Sequence, residues 1–403
     1  MNKRNMTDRK KLLIYKIVLF IFAFIVAFLP STFSRSREVN SRVIVEILGI
    51  DGGDGVEVTA QYIMPADGEG ATSKDTVTVK ADTLTEAVES LNTALGRRAE
   101  LGHCSLVIAG EAASPELLGT LMTATDVTAD VYVSAAMGKA SDLVSDITDF
   151  MKKTGATDAD FIAYSAKKAH IATNTILGFL SDIGSASHTA YMPVVQMLES
   201  SGGQGGGEQG GQGGGESSDG GQGGEQSGES GGESSGDQTG MQVEKLALYG
   251  EKGRIGVLDR VAARGVAWVS ARVEKSVVTA DIELDGETVK NVTGRLLKKR
   301  AHIDIDDKSR TAVIKLKVTI EPIGDKYNIL EASYSDKTNA AVKGGFKAVI
   351  EKEIRAAYDG ARELDCDPLF IGREFYRYAP DYYESEYALS GVDVDLDVEV
   401  VLK

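Results

Sequence analysis

Hydrophobic and polar positions divide the chain into three regimes. Residues 12–29 are almost unbroken apolar side chains behind the basic positions Lys3, Arg4, Arg9, Lys10 and Lys11. Residues 201–240 contain only Gly, Ser, Gln, Glu, Asp and one Thr. Elsewhere the apolar residues recur with a period of two or of nearly four, the signatures of strands and of helices.

The period-two stretches predict a strand over 43–50, a turn at Gly52-Gly53-Asp54-Gly55 and a return strand over 56–64, which together make a hairpin. Further strands are expected at 76–79, 105–109, 131–135 and 190–197. Between them, Thr83 and Glu86 form a capping box ahead of the stripe Leu84, Ala87, Val88, Leu91 and Leu95, and Ser114-Pro115 opens another helix. Helical patterns also cover 140–151 and 160–175. After the polar segment come hairpins over 245–258 and 277–292, a short strand at 266–269 carrying Trp268, and a strand at 312–320. A helix over 340–364 presents Val342, Phe346, Ile350, Ile354 and Tyr358 on one face. The last strand, 392–402, alternates Val392, Val394, Leu396, Val398 and Val400 with Asp393, Asp395, Asp397 and Glu399.

This pattern predicts an α/β (α+β) multi-domain protein of mixed β-sheets flanked by helices, with one N-terminal transmembrane anchor or signal segment. The boundaries expected are a basic leader over 1–11, the apolar segment over 12–29, an α/β domain over 39–200 and a disordered linker over 201–240. A small β-rich middle domain over 241–295 and a C-terminal α/β domain over 296–403 follow. Eighteen helical residues rise about 27 Å, near the thickness of a bilayer's hydrocarbon. The basic leader places the bulk of the chain on the extracytoplasmic side. A retained anchor is favoured over a cleaved signal peptide, and no cysteine stands near the segment to carry a lipid. The polar segment has nothing to bury and reads as a loop insertion in preference to a wall-spanning tether.

The net charge of −16 argues against nucleic acid and against docking flat on anionic lipid. Two cysteines, Cys104 and Cys366, are too few for a disulfide framework; they are either buried thiols or one long-range bridge. His103-Cys104 lacks metal-ligand spacing, and His103 is expected to pack or cap at a strand end. The acidic row on the last strand diverges and reads as a solvated face or an edge guard. There is no phosphate loop and no nucleophile elbow, so neither a catalytic, a metal nor a cofactor site is expected. The densest aromatic cluster, Phe370, Phe375, Tyr376, Tyr378, Tyr382, Tyr383 and Tyr387, is either a satellite core or a contact surface.

Several segments in order resemble the Ger(x)C family, the C subunits of spore germinant receptors. They are Arg37-Glu38-Val39-Asn40 with Leu48-Gly49-Ile50-Asp51, then Met64-Pro65, then Arg97-Arg98 and His103 through Val107-Ile108-Ala109-Gly110-Glu111. Met192-Pro193-Val194-Val195, Leu246-Ala247-Leu248-Tyr249, Gly256-Val257-Leu258 and Gly265-Val266-Ala267-Trp268-Val269 continue the series, which ends in Asp367, Phe370, Gly372, Pro380, Tyr382 and Tyr383. The resemblance implies a non-enzymatic subunit at the spore inner membrane, built of three α/β-type domains, that assembles with A-type and B-type integral-membrane subunits to sense nutrients. It departs from the family in lacking a lipobox cysteine, so residues 12–29 would have to anchor it. Gly49, Asp51, His103, Gly110, Glu111, Trp268, Asp367 and Gly372 would be architectural, and Phe375, Tyr376, Tyr378, Tyr382 and Tyr383 a possible interface. The alternative is an exported, membrane-anchored binding module for a small molecule or a cell-wall component.

Overall fold

The computed structural model describes residues 16–22, 24, 42–65, 72–154, 160–198, 240–270, 276–284, 286–323 and 336–403. The chain divides into two units, Met1–Val43 and Ile44–Lys403. In the first, residues 16–22 and 24 are helical and exposed. Among the described residues no helix is long and apolar enough to cross a membrane. The remainder of the expected span 12–29, the basic leader, and 201–239 of the expected linker lie outside the described residues.

The second unit is built on two sheets. The first is ten-stranded, with the path β10-β9-β8-β6-β5-β1-β2-β3. At its centre β1 (Arg42–Asp51), β5 (Leu106–Ala109), β6 (Tyr132–Ala136) and β8 (Ala190–Leu198) run parallel. On one flank β2 (Val56–Pro65) and β3 (Thr72–Ala81) continue antiparallel, and on the other β9 (Gly240–Gly250) and β10 (Gly253–Leu258) do so. Short strands β4 (Arg98–Glu100) and β7 (Asn174–Thr175) attach to β1 and β6. All four residues of β5 are buried, as expected of a parallel strand covered on both faces.

Helices supply the cover. On one face α1 (Leu84–Leu95), α2 (Pro115–Ala124) and α5 (Ile176–Ile183) pack Leu91, Leu121 and Phe179 against Leu48, Ile50 and Val107. Thr83 caps α1 by accepting from the Glu86 amide at 3.2 Å. On the other face α3 (Ala140–Thr154) and α4 (Asp160–Ala169) cover Ile47 and Ile108, in a core continuous with the second sheet. That sheet has the order β11 (Val277–Leu284), β12 (Glu287–Asp306), β13 (Thr311–Ile323), β14 (Asp393–Leu402), with β13 and β14 parallel. The 28-residue α7 (Asp336–Glu363) lays Val342, Phe346, Ile350 and Ile354 on it, all fully buried. Short helices α8 (Ile371–Tyr378) and α9 (Pro380–Glu386) precede β14.

The structure corrects several expectations. Residues 266–269 are not a strand; they end α6 (Arg260–Val269), which Asp259 caps by accepting from the Ala262 amide at 2.9 Å. The run is buried almost all round, and a short apolar run without periodicity does not discriminate helix from strand. The expected middle domain over 241–295 is divided: β9 and β10 extend the first sheet, while β11 and β12 belong to the second. The 20-residue β12 also runs straight through the boundary expected at 295. The helix expected over 160–175 ends at Ala169, because His170 turns the chain with φ of 60°. Ser114 occupies the N-cap of α2 without a side-chain bond, so Pro115 at its start is the helix-opening feature there.

Candidate functional site

Three buried polar joints hold the second unit together, and most of the residues singled out in the sequence lie in them. At the first, β1 delivers Asp51 to the start of α3. Asp51 Oδ1 accepts from the Ala140 amide at 2.7 Å and Oδ2 from the Ser141 amide at 2.9 Å, placing a carboxylate on the positive end of the helix. Gly110 donates its amide to Ile50 O at 2.9 Å, and a Cβ there would overlap Asp51 Oδ1. A Cβ on Gly49 would lie 2.9 Å from Val144 Cγ2, so glycine lets α3 approach β1. Glu111 follows, its amide donating to Gly138 O at 2.9 Å. His103 is not part of this joint and does not pack; it is exposed at the end of a single 3-10 turn, Leu101–His103.

The second joint ties α6 to α7. Trp268 Nε1 donates to Glu353 Oε2 at 2.6 Å, and Arg264 Nε lies 2.8 Å from Glu353 Oε1. Burial raises the Glu353 carboxyl above its ordinary range, opposed by Arg264 and the indole. The His170 ring lies 4.0 Å from the Trp268 ring, and its Nδ1 is 2.5 Å from Ser276 Oγ. Burial, with Arg264 and Lys299 nearby, holds His170 well below its ordinary value, so it is neutral. Lys299 points inward from β12 and donates to Ala267 O at 2.6 Å and to Ser270 O, at the negative end of α6. Burial brings its ammonium down to about 7.

Asp367 is the centre of the third. Its Oδ2 accepts from Ser187 Oγ at 2.7 Å and from the Gly372 amide at 2.6 Å, and its Oδ1 from the Ile371 amide at 3.0 Å. Its own amide donates to Thr189 Oγ1 at 2.9 Å. Ser187 Oγ in turn accepts from the Arg373 amide at 3.2 Å, and the Tyr383 hydroxyl donates to Ala186 O. Burial raises the Asp367 carboxyl, with these hydrogen bonds pulling against it. A Cβ on Gly372 would stand 3.0 Å from the Tyr387 hydroxyl and 3.1 Å from Asp367 Oδ2. The joint therefore fastens α8 to the turn that leads into β8.

The aromatic cluster resolves into interior and surface. Phe375 is fully buried, 5.3 Å from the Tyr382 ring and 5.5 Å from that of Tyr387, and is not an interface residue. Tyr382 and Tyr383 are half-buried. Tyr376 and Tyr378 are 54% and 60% exposed, so they alone of the expected interface set offer large aromatic area to a partner.

The sequence reading missed Arg264, His170, Lys299 and Glu353 as a group. Glu353 borders the apolar stripe of α7, three residues after Ile350, and that was the available signal. Cys104 and Cys366 are buried free thiols pushed up to about 12, mainly by burial, which makes them unreactive. Among the described residues no group of three or more His, Cys, Asp or Glu side chains is arranged to hold a metal ion.

The family described as "Spore germination protein N-terminal domain" matches residues 35–197. A second, "Spore germination B3/ GerAC like, C-terminal", matches residues 244–403. Among solved structures, one titled "Crystal Structure of the GerBC protein" is similar at 13% identity and a TM-score of 0.49, covering 88% of this chain and 96% of that one. No curated protein matches the chain.

Proposed function

We propose, on the premise that the chain belongs to the GerAC-like family of spore germination proteins, that it is a non-catalytic, membrane-anchored subunit of a germinant receptor. The observation that carries this reading is the succession of the two family matches, over 35–197 and 244–403, along one chain. The apolar run 12–29 behind a basic leader supports an anchor in the spore inner membrane or the cell membrane, with the bulk of the chain extracytoplasmic. The joints around Asp51, Trp268 and Asp367 are engaged with backbone and neighbouring side chains, which suits positions that keep a shape. Partner contacts, with A-type and B-type integral-membrane subunits, fall in this reading on the face carrying Tyr376 and Tyr378.

Deleting the gene in its sporulating host is expected to slow or abolish the response to at least one nutrient. A normal response to every nutrient would reject the role. Affinity purification of the tagged chain from detergent-solubilised membranes is expected to recover a polytopic membrane protein. Replacing Tyr376 and Tyr378 together by alanine is expected to reduce that recovery severalfold.

A further inference from the structure

A half-enclosed cavity of about 230 Å³ opens where the end of α6, β12 and α8 meet. Its apolar wall includes Ile303, Leu369 and Phe370, all buried. Its polar rim is Arg373, Glu374 and Arg377 of α8. Glu374 is buried, and both arginines reach for it: Arg373 Nε stands 3.4 Å from Oε1 and Arg377 Nη1 3.4 Å from Oε2. Charge-assisted bonds of this kind close to about 2.7–2.9 Å when they are satisfied, so both contacts are slack. Two guanidinium groups thus share one carboxylate, leaving a net positive rim on a chain whose net charge is −16. Each guanidinium carries five N–H donors, and each spends one on Glu374. Arg373 also lies over the Phe370 ring, 4.9 Å from its centroid, so cation and flat apolar surface adjoin. His302, which also lines the cavity, is already matched by Asp304 at 2.7 Å.

We propose that this cavity binds a small carboxylate, its anionic group between Arg373 and Arg377 and its flat apolar body against Phe370, Leu369 and Ile303. Arginine forks match a carboxylate's two oxygens, and an apolar pocket with a few convergent polar groups is the usual form of a small-ligand site. The volume is below the usual range for drug-sized ligands, so the part of the occupant held inside the cavity is small. This site is independent of the receptor-subunit role.

The test is calorimetric titration of the full chain in detergent micelles with benzoate, alongside benzyl alcohol and inorganic phosphate, with the heats of empty micelles subtracted. Benzoate is expected to bind saturably, and R373Q and R377Q each to weaken it at least tenfold while the variants still unfold cooperatively. Benzyl alcohol, which lacks the charge, is expected to bind at least tenfold more weakly. Absence of saturable benzoate binding, or binding by both arginine variants as tight as the parent's, would overturn the site. Phosphate binding as tightly as benzoate would overturn the carboxylate assignment. None of these outcomes bears on the germination phenotype of the deletion strain, so the two readings fail separately.

Discussion

Trp268 and Glu353 meet across the contact of α6 with α7, the indole donating to the carboxylate at 2.6 Å while Arg264 holds its second oxygen at 2.8 Å. Both Trp268 and Glu353 are buried, so one neutral donor and one cation offset the loss of water around that carboxylate. The approach depends on Gly265, where a Cβ would overlap the carbonyl oxygen of Glu353. The only tryptophan of the chain is therefore a structural tie between helices, with its polar edge turned inward.

Removing either partner should be felt in proportion to what is left unpaired. Glu353→Ala strands the Arg264 guanidinium in a largely buried site and is expected to destabilise the fold by about 3–5 kcal/mol. Trp268→Phe keeps most of the packing but deletes the donor, an expected loss of about 1–3 kcal/mol. Urea unfolding at pH 7 separates the two, and a Glu353→Ala variant as stable as the parent would show that the tie contributes nothing.

Lys299 makes stability depend on pH in a direction opposite to ordinary lysines. Its folded-state value of about 7 lies below the usual 10.5, so between those limits the unfolded chain binds more protons and stability rises with pH. The penalty is complete below 7 and relieved as pH rises toward 10.5. The stability of the parent relative to Lys299→Met should therefore grow across that window, by at most about 1.4 kcal/mol per pH unit. The acceptors Ala267 O and Ser270 O favour the charged form and so oppose the downward shift that burial causes. A difference that stays flat across the window would show that Lys299 keeps its proton.

Asp367 acts on two separated stretches of chain at once. Asp367→Asn replaces one of two acceptor oxygens by a donor facing amide N–H groups, and a loss of about 1.5–3 kcal/mol is expected. Faster amide exchange should then appear together in 184–189 and in 371–378, since Ser187, Ile371 and Gly372 lose one common partner. Because burial raises this carboxyl above 3.8, the native state holds its proton longer than the unfolded chain. The stability of the parent relative to Asp367→Asn should fall as pH rises through the interval above 3.8. Exchange that changes in only one of the two stretches would contradict the coupling.

How much of this was legible in the sequence follows from how local each signal is. The alternation of β14 and the four-residue stripe of α7 are local, and both elements stand where the pattern put them. The stretch Gly265–Val269 has no such period, since it packs on nearly every side, and its helix depends on the cap at Asp259. Asp51, Gly110, Asp367 and Gly372 could be singled out by resemblance, but their partners could not. Asp51 meets Ala140 and Asp367 meets Ser187, which lie 89 and 180 residues away in the chain. No short-range pattern encodes such a pairing. His170 was unreadable for the same reason, because Ser276 and Trp268 reach it only after α6 is placed.

The polar segment between β8 and β9 has a consequence that can be measured. Leu198 pairs directly with Gly240 in an antiparallel ladder, so residues 199–239 join two adjacent strands that a short turn could connect. Replacing them by a four-residue turn shortens the loop by more than three doublings, and closure entropy then stabilises the fold by about 2 kcal/mol. The shortened chain is expected to fold, to unfold at higher urea, and to restore germination in the deletion strain. Those outcomes together identify the segment as an insertion without a spacing duty. A chain that folds with the expected gain in stability yet fails to restore germination would assign the segment a tether's function, because only its reach would have been removed.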